Sequence, residues 1–296
     1  MKILLTGRHG QLGSEIYKSL HMHGQVHGFN SSELNLREPK KIVEIIQDIK
    51  PDIIINTAAY TAVDKAEVES LAAYEINHIA PSIMAQEAEK INSVMIHFST
   101  DYVFDGHKRG AYTESDQTNP LNVYGRTKLS GEISVSSICS RYLILRTSWV
   151  HGIHGHNFIK TILQHANEKE SMSIIADQYG IPTSAAFLAG VTSDLATRAY
   201  TMQESLRYGI YHLTALGSTS WYEYGCFIVQ ECLNRGQSLR LSVENIKPIK
   251  TNEYLAPAKR PLNSCLDTRK FRDTFNMSIP EWQEGVRHTL NQILIT

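Results

Sequence analysis

Three side chains in the first half of the chain have types and an order that suit chemistry on a carbonyl group. Tyr124 and Lys128 stand four residues apart, and the hydroxyl residue Thr100 closes an apolar run upstream of them. On a helix, residues i and i+4 share a face, so the phenol would lie beside the ammonium. A nearby cation lowers the pKa of a phenol, and a second hydroxyl can bind the same carbonyl oxygen. We therefore predict that Tyr124 donates a proton, assisted by Lys128 and Thr100.

Three glycines near the amino terminus predict a dinucleotide site. Gly7, Gly10 and Gly13 follow a strand-like run and open a helical pattern. The first permits a tight turn, the second lets the backbone approach a pyrophosphate, and the third lets the helix pack on the strand. The free N–H groups at the helix start then bind the phosphates. A Tyr-x-x-x-Lys spacing is common by chance, but in this order it predicts a nicotinamide-dependent carbonyl reductase.

The residues that end the second predicted strand bear on the choice between NADH and NADPH. An acidic residue at this place normally binds the ribose hydroxyls and disfavours a 2′-phosphate. Here the strand ends in Asn30, which carries no charge, and Arg8 of the glycine turn could pair with a phosphate. We therefore expect NADPH to be accepted as well as NADH. The predicted cofactor contacts are Gly7, Gly10, Gln11, Leu12, Gly13, Asn30, Asn35, Leu36, Ala59, Tyr60, Thr61, Phe98, Tyr124 and Lys128.

Short apolar runs alternate with segments of helical period, which is typical of βαβ units and a parallel sheet. The predicted strands are Lys2–Thr6, Gln25–Phe29, Asp52–Asn56, Val94–Ser99, Tyr142–Thr147, Met172–Ile175 and Gly209–His212. The predicted helices, beside the one with Tyr124, are Gln11–His23, Pro39–Lys50, Asn157–Lys169, Ser184–Tyr200 and Trp221–Asn234. The fold class is α/β, a doubly wound Rossmann-type sheet with a smaller carboxy-terminal substrate-binding region.

The alternation of predicted strands and helices becomes less regular after residue 150. Residues 1–149 are predicted to form the dinucleotide-binding domain, to which elements near 172–200 return, and 150–296 to be mainly the substrate-binding region. Within the latter, Ile246–Arg260 reads as an irregular segment rich in Pro and Lys. Ligands of such sheets bind outside the carboxyl ends of the strands, and the three motifs above all fall at strand ends.

Composition and charge narrow the class of protein. The 296 residues carry 29 basic and 30 acidic side chains, a net charge of −1, which predicts no binding to nucleic acid or to a membrane surface. The amino terminus lacks the apolar length of a signal peptide, so we expect a cytoplasmic protein. The four cysteines are too sparse for a disulfide framework. His151, His154 and His156 lie in a glycine-rich loop and are interpreted as polar loop residues rather than metal ligands.

Longer motifs carry a family resemblance. The segments are Ser99-Thr100-Asp101-Tyr102-Val103-Phe104-Asp105-Gly106, Pro120-Leu121-Asn122-Val123-Tyr124-Gly125, Arg146-Thr147-Ser148-Trp149-Val150, Asp177-Gln178-Tyr179-Gly180-Ile181-Pro182-Thr183 and Arg260-Pro261-Leu262-Asn263-Ser264. The chain resembles the dTDP-4-dehydrorhamnose reductase family, extended short-chain dehydrogenases/reductases, over essentially its whole length. The resemblance implies reduction of a dTDP-keto-deoxy-sugar to dTDP-L-rhamnose with NADPH or NADH, for bacterial surface polysaccharide such as O-antigen.

The resemblance also assigns roles to residues. It implies catalysis by Thr100, Tyr124 and Lys128, and substrate binding by Thr100, Asp101, Tyr102, Trp149, Arg260 and Asn263. The Arg260 guanidinium suits a diphosphate, although Cys265 stands where the family usually has a basic residue. Related dehydratases have Glu where this chain has Tyr102, which favours simple reduction. Some members form a homodimer that binds Mg²⁺ through glutamates, but only Glu15 matches here, so no metal site is predicted.

Two other functions stay open at this point. A reductase that delivers hydride to the opposite face of the ketone would make another dTDP-6-deoxy sugar, such as 6-deoxy-L-talose, with the same catalytic residues. A second possibility is a non-catalytic NADP-binding regulatory subunit of the same fold, as in methionine adenosyltransferase. The intact set of Thr100, Tyr124 and Lys128 argues against a mere binding protein.

Overall fold

A computed structural model describes residues 1–202 and 205–295 of the chain. In chain order, the strands are β1 (Lys2–Thr6), β2 (Gln25–Phe29), β3 (Ile53–Asn56), β4 (Val94–Thr100), β5 (Tyr142–Thr147), β6 (Val150–His151), β7 (Met172–Ile175), β8 (Tyr179–Gly180), β9 (Thr183–Ser184), β10 (Gly209–His212), β11 (Thr219–Ser220) and β12 (Ile246–Ile249). The helices are α1 (Gln11–Leu20), α2 (Pro39–Ile49), α3 (Val63–Ala66), α4 (Ser70–Tyr74), α5 (Ala80–Lys90), α6 (Val123–Ile138), α7 (Phe158–Glu168), α8 (Ala185–Met202), α9 (Trp221–Asn234), α10 (Arg269–Phe275) and α11 (Trp282–Ile295).

Six of the strands form one parallel sheet in the order β10-β5-β4-β3-β1-β2. β3 and β4 are buried along their whole length, as parallel strands covered on both faces must be. β2 lies on one side of β1 and β3 on the other, so the direction of winding reverses at β1. Such a reversal leaves a crevice at the carboxyl ends of the strands, where these folds bind ligands. The predicted doubly wound Rossmann-type sheet is confirmed.

Helices cover both faces of this sheet. The side chains of β1 alternate, so that Ile3 and Leu5 enter one core while Leu4 enters the other. Ile16 of α1 and Leu188 of α8 fill the first core, and α2, α5 and the buried part of α6 fill the second. No helix within 1–202 and 205–295 is long and apolar enough to cross a membrane.

A third core lies in the carboxy-terminal part of the chain. It joins buried residues of α7, β7, α9, β12 and α11 around the fully buried Tyr224. α8, in contrast, packs on the first face of the main sheet, and β10 forms an edge of that sheet. The division near residue 150 stays a prediction. Its second part includes residues 203, 204 and 296, which lie outside the described residues.

The main element bounds follow the predicted ones closely. Five strands and one helix agree at both ends, namely Lys2–Thr6, Gln25–Phe29, Tyr142–Thr147, Met172–Ile175, Gly209–His212 and Trp221–Asn234. The first helix ends at Leu20 rather than at His23. The second ends at Ile49 because Lys50 adopts a left-handed conformation with φ 47°. Asn157 lies just outside its helix, where its side chain accepts a hydrogen bond from the backbone N–H of Lys160.

The prediction that Ile246–Arg260 is irregular is wrong for its first part. Ile246–Ile249 is a strand, and it pairs in parallel with Met172–Ile175. Proline cannot donate to a ladder, but it is tolerated in a strand at the edge of a sheet, which is where Pro248 lies. This sheet has two strands, so each has a free edge.

A buried ion pair fixes α6, the helix that carries the predicted catalytic tyrosine, against β5. The Arg146 guanidinium donates from Nε and Nη2 to the Glu132 carboxylate, at 2.9 and 2.7 Å. The two side chains are only 4% and 1% exposed. Arg146 also lies over the ring of Phe104, with its guanidinium carbon 5.2 Å from the ring centroid. Because neither charged group is accessible to water, each is stabilised mainly by the opposite charge of its partner.

We expect Glu132→Ala to lower the free energy of unfolding by about 3–5 kcal/mol, because it leaves the Arg146 guanidinium buried without a counter-charge. Denaturant unfolding of the purified variant measures the loss. The matched control is Asp194→Ala, which removes a carboxylate that pairs with Arg198 at the surface and is 47% exposed. Its cost should stay within about 1 kcal/mol. Equal losses in the two variants would contradict this account.

Candidate active site

The glycine turn between β1 and α1 has the shape that a pyrophosphate needs. Gly7 has φ +76°, a conformation that other residues rarely adopt. A Cβ on Gly13 would lie 2.0 Å from the carbonyl oxygen of Gly7, so α1 approaches β1 more closely than any side chain would allow. Gly10 is the residue before α1 and no side chain caps the helix. The N–H groups of Gln11 and Leu12 therefore begin the helix at the mouth of the crevice and are available to a phosphate.

Gly13→Ala should weaken binding of a nicotinamide dinucleotide by about tenfold or more, because the new methyl group forces α1 away from the turn. Overpacking of this kind typically costs about 1–3 kcal/mol, and 1.4 kcal/mol corresponds to tenfold. Titration with NADP⁺ measures the effect. Gly190→Ala is the control, since nothing lies within 4 Å of its Cβ position in α8. A Gly13 variant with wild-type affinity would show that the close packing is not needed.

Five other predicted cofactor residues lie in the segments that follow β2 and β3. Asn35 bonds locally, donating to Glu38 and accepting from the N–H of Arg37, and Leu36 is buried in the core under α2. Tyr60 is held through its backbone, because its N–H donates to Asn77 at 2.8 Å. Ala59 and Thr61 flank it in the loop after β3.

Asn77 is a residue that the sequence did not reveal. It is 1% exposed and lies in a π-helical turn, Glu75–Ile79, between α4 and α5. Its amide nitrogen donates to the carbonyl of Tyr60 and to the hydroxyl of Thr127, each at 3.1 Å. One side chain thus ties the loop after β3 to α6. A π turn inside a helix often marks a functional position, but a single sequence offers no signal for it.

The three predicted catalytic residues come together at the carboxyl end of β4. Thr100 ends that strand, and a hydrogen bond joins it to the phenol of Tyr124. Lys128 is 2% exposed, and its ammonium donates to the carbonyl of Phe98 at 2.6 Å. α6 can approach this strand end because Gly125 lacks a side chain: a Cβ there would lie 2.2 Å from the carbonyl of Tyr102.

Burial dominates the acid–base properties of Tyr124. Burial raises the pKa of Tyr124 to about 12, the hydrogen bond with Thr100 lowers it, and the neighbouring Asp101 raises it. Burial, Thr100 and Asp101 account for the shift of this pKa, and the Lys128 ammonium binds the Phe98 carbonyl; the lowering of the Tyr124 pKa by Lys128 stays a prediction. A phenol with this pKa stays protonated at neutral pH and is ready to donate.

Lys128 is itself held by a buried polar row that crosses three strands. Its ammonium lies 3.4 Å from Nε2 of His97, and Nδ1 of the same ring lies 3.0 Å from the amide of Asn56. Asn56 in turn bonds the hydroxyl of Thr6 at 2.6 Å. Burial, with the nearby Lys128, holds the pKa of His97 well below its usual range, so the ring is neutral. Burial also lowers the pKa of Lys128, to about 8.

Asp101 and Tyr102, predicted to bind substrate, lie beside Thr100. Thr100 donates to the Asp101 carboxylate at 2.8 Å and accepts from the N–H of Tyr102. Burial raises the pKa of Asp101 to about 7. The rings of Tyr102 and Tyr124 meet edge to face, with centroids 5.8 Å apart. Several hydroxyl groups and one carboxyl group therefore lie close together at the carboxyl end of β4.

Arg260 borders a cavity of about 620 Å³ in the carboxy-terminal part. Its guanidinium forms a two-point ion pair with Asp64, at 3.1 and 2.6 Å. Asp64 belongs to α3, which follows the loop of Ala59–Thr61, so this pair joins the cavity to the predicted cofactor loop. Other residues lining the cavity are Phe158, Gln178, Trp221, Thr251, Tyr254 and Lys259.

The side chains of Trp149 and Asn263, both predicted to bind substrate, are already in contact with other parts of the protein. Trp149 stacks on Trp221, with centroids 3.5 Å apart and planes 10° from parallel, so one face of its indole is covered. Trp221 is a second residue that the sequence did not reveal. The amide nitrogen of Asn263 donates to the carbonyls of Lys108 and Gly110, so it could donate to a ligand only by releasing one of them.

Glu15 does not meet the requirements of a metal site. Its carboxylate lies 3.7 Å from the Lys18 ammonium, whose charge would repel a metal ion, and 3.6 Å from His154. Within residues 1–202 and 205–295, no group of His, Cys, Asp and Glu could hold a metal ion. The loop histidines separate: His151 is buried beside Thr289, and His156 bonds Thr161. The described residues of one chain therefore do not form a complete Mg²⁺ site.

Comparison with known proteins decides the family. A family model described as the RmlD substrate binding domain matches residues 1–295. The dTDP-4-dehydrorhamnose reductase of Escherichia coli K12 is 41% identical over 300 aligned residues, covering 100% of this chain and 99% of the relative. The chain belongs to the dTDP-4-dehydrorhamnose reductase family.

Solved structures named dTDP-4-dehydrorhamnose reductase share the whole fold. The protein from Clostridium acetobutylicum is 34% identical with a TM-score of 0.90, over 99% of this chain and 100% of that one. The protein from Bacillus anthracis, solved in complex with NADP, is 32% identical with a TM-score of 0.89, over 98% and 99%. The full-length match confirms the family assignment made from the motifs.

Proposed function

We propose that this protein is an oxidoreductase that uses NADPH or NADH to reduce the C4 ketone of dTDP-4-dehydro-6-deoxy-L-mannose to dTDP-L-rhamnose. The observation that carries the proposal is the convergence of Thr100, Tyr124 and Lys128 at one strand end beside the glycine turn. Relatives that match essentially the whole chain are named for this activity. The product serves bacterial surface polysaccharide, such as O-antigen.

The cofactor fits the crevice between β1 and β3. Gly13 lets the start of α1 pack against the turn, and a Cβ at Gly10 would meet only the Gly7 carbonyl oxygen, 3.1 Å away, so the backbone at Gly10 is open to a pyrophosphate. Gly10, Gln11 and Leu12 would hold the phosphates through backbone N–H groups. Lys128 would hold the nicotinamide ribose after exchanging its bond to the Phe98 carbonyl. The bound cofactor supplies the hydride.

The protein's own groups handle the oxygen of the ketone. As negative charge develops there, Tyr124 would donate its proton, and the hydroxyl of Thr100, on leaving the Asp101 carboxylate, would donate a hydrogen bond to the same atom. Burial keeps the phenol protonated at neutral pH, since it raises the pKa of Tyr124 to about 12. The low dielectric of the site also strengthens these hydrogen bonds.

The nucleotide half of the substrate would occupy the cavity at Arg260. Its volume of about 620 Å³ suits a nucleoside, and the lining combines Trp221 and Phe158 with Gln178 and Lys259. Arg260 can bind a diphosphate in bidentate fashion once it leaves Asp64. The family's usual basic residue is replaced by Cys265, so Arg260 would carry more of this contact.

The wider setting is also part of the proposal. We place the reaction in the cytoplasm, because the cysteines at 139, 226, 232 and 265 are free thiols, as a reducing compartment keeps them. The homodimer stays a prediction. A 6-deoxy-L-talose product would need the other face of the ketone turned toward the cofactor, and the product's stereochemistry decides this.

A coupled assay tests the function. dTDP-glucose is converted by a 4,6-dehydratase and a 3,5-epimerase, and this protein is then added with NADPH. We expect oxidation of NADPH that depends on all three enzymes, with NMR showing the rhamno configuration at C4 of the product. A talo product would identify the sister reductase. Cofactor binding without any turnover would overturn the reductase proposal and support a binding protein.

A further inference from the structure

A charged cluster occupies the corner where β2 ends beside the glycine turn. The Arg8 guanidinium lies 3.0 Å from Oε1 of Glu33. The other carboxylate oxygen of Glu33 accepts a hydrogen bond from the backbone N–H of Asn30 at 2.9 Å. Arg8 is attached to the same corner through its own N–H, which donates to the carbonyl of Phe29 at 3.0 Å. Glu33 is thus fixed at the strand end, although it comes later in the chain.

Asn30 shapes this corner rather than facing a ligand with a free amide. Its Oδ1 accepts hydrogen bonds from the N–H and the hydroxyl of Ser32, at 2.8 and 2.6 Å, and from the N–H of Glu33 at 3.2 Å. These bonds close a turn that returns the chain toward Phe29. Asn30 follows the strand as predicted, and in addition the Glu33 carboxylate lies beside its N–H. The turn thus brings the Glu33 carboxylate to the end of β2, between the Asn30 N–H and the Arg8 guanidinium.

The position has a definite meaning in a dinucleotide fold. A carboxylate at the end of the second strand binds the ribose hydroxyls of the adenosine, and it repels a 2′-phosphate. An arginine in the glycine turn has the opposite effect, because it attracts the phosphate. Here the two side chains are paired, so Arg8 can bind a phosphate only by giving up Glu33. The Arg8–Glu33 pair therefore affects the binding affinity for NADPH and for NADH in opposite directions.

We propose that Glu33 is the residue that sets the cofactor preference, by restraining Arg8 and by opposing a 2′-phosphate while accepting the ribose hydroxyls of NADH. The proposal rests on the proposed function in one respect only, namely that the crevice binds a nicotinamide dinucleotide. It concerns the adenosine end of the cofactor, far from the ketone. It extends the predicted acceptance of both cofactors by naming the group that limits NADPH.

The test is isothermal titration of the full-length protein with NADP⁺ and with NAD⁺, without any sugar. In Glu33→Gln, the Kd for NADP⁺ should fall by about fivefold or more, since one repelling charge at ~4 Å has at least about this effect and Arg8 becomes free. The Kd for NAD⁺ should rise or stay within about threefold. The control is Glu44→Gln on the exposed side of α2, which loses the same charge and should leave both constants unchanged.

A second variant separates the two roles of the pair. Arg8→Gln in the Glu33→Gln background should cancel the gain for NADP⁺ and leave NAD⁺ binding intact. An unchanged NADP⁺/NAD⁺ ratio in Glu33→Gln would overturn the proposal, and so would equal weakening of both cofactors, which would mean that Glu33 only shapes the turn. Because no sugar is present, a failed reductase assay leaves this result standing. Wild-type protein that binds neither cofactor would overturn both proposals.

Discussion

Tyr124→Phe should lower kcat by about 10²–10⁴-fold while the cofactor binds with wild-type affinity. The phenylalanine ring fills the same space against Tyr102, but the proton donor is gone, and general acid catalysis is typically worth this much. Steady-state kinetics with dTDP-4-dehydro-6-deoxy-L-mannose and NADPH measure the rate. Titration with NADP⁺ checks the affinity.

Tyr200→Phe is the matched control for the loss of a phenol hydroxyl. Tyr200 lies on α8 and is 43% exposed, remote in the fold from the carboxyl end of β4. It should keep full activity. If Tyr124→Phe retained activity within about threefold of the wild type, Tyr124 would not be the proton donor, and Asp101, with its raised pKa of about 7, would become the next candidate.

Lys128→Met should slow turnover and weaken cofactor binding together, each by about tenfold to a hundredfold. The ammonium is assigned to the nicotinamide ribose, and a hydrogen bond from a charged donor contributes about 1.5–3 kcal/mol. Methionine keeps most of the buried length without the charge. Cofactor titration and steady-state kinetics on the same preparation separate the two effects. Lys247→Met, at an exposed position of β12, is the control.

The pH dependence provides an independent check on Lys128. Burial lowers the pKa of this group to about 8, so its ammonium form is lost as the pH rises through that value. The wild-type kcat/KM should therefore fall above about pH 8, and the loss caused by Lys128→Met should shrink there. A variant whose deficit is the same at pH 7 and at pH 9 would show that the charge of Lys128 is not what matters.

The strands of the main sheet could be predicted because a buried strand requires a run of apolar residues, which is visible in the local sequence. Ile53–Asn56 and Val94–Thr100 are covered on both faces, and such strands read as continuous apolar runs. Strands of two residues, such as Val150–His151 and Thr183–Ser184, have no such run. These short strands form because segments that are distant in the sequence pair with each other. A single sequence does not show which distant segments pair.

The chemistry of the site divides in the same way. Thr100, Tyr124 and Lys128 could be singled out because the proposed reaction constrains their types and spacing. Asn77 and Trp221 could not, since a buried asparagine and an aromatic residue at a helix start have many ordinary explanations. Their roles emerge only from contacts with Tyr60 and Trp149.

Glu33 and the pKa of Tyr124 show two further limits of sequence reasoning. An acid was sought at the strand end itself, whereas the turn at Asn30 brings the carboxylate back from later in the chain. Asn30 and Glu33 at this spacing are a pattern typical of capped turns, which could have drawn attention to it. The pKa depends on how completely the phenol is buried, and only coordinates supply that.

The polar row from Thr6 through Asn56 and His97 to Lys128 has a consequence for folding. Thr6, Asn56 and His97 stand opposite one another in β1, β3 and β4, and each donor and acceptor meets its partner only in this register. A slip of one residue would turn these side chains to the other face and bury them without partners. Aliphatic neighbours such as Ile54 and Ile55 would tolerate many pairings. The row therefore favours the native register of β1, β3 and β4 over shifted registers, and only the native register places Lys128 correctly.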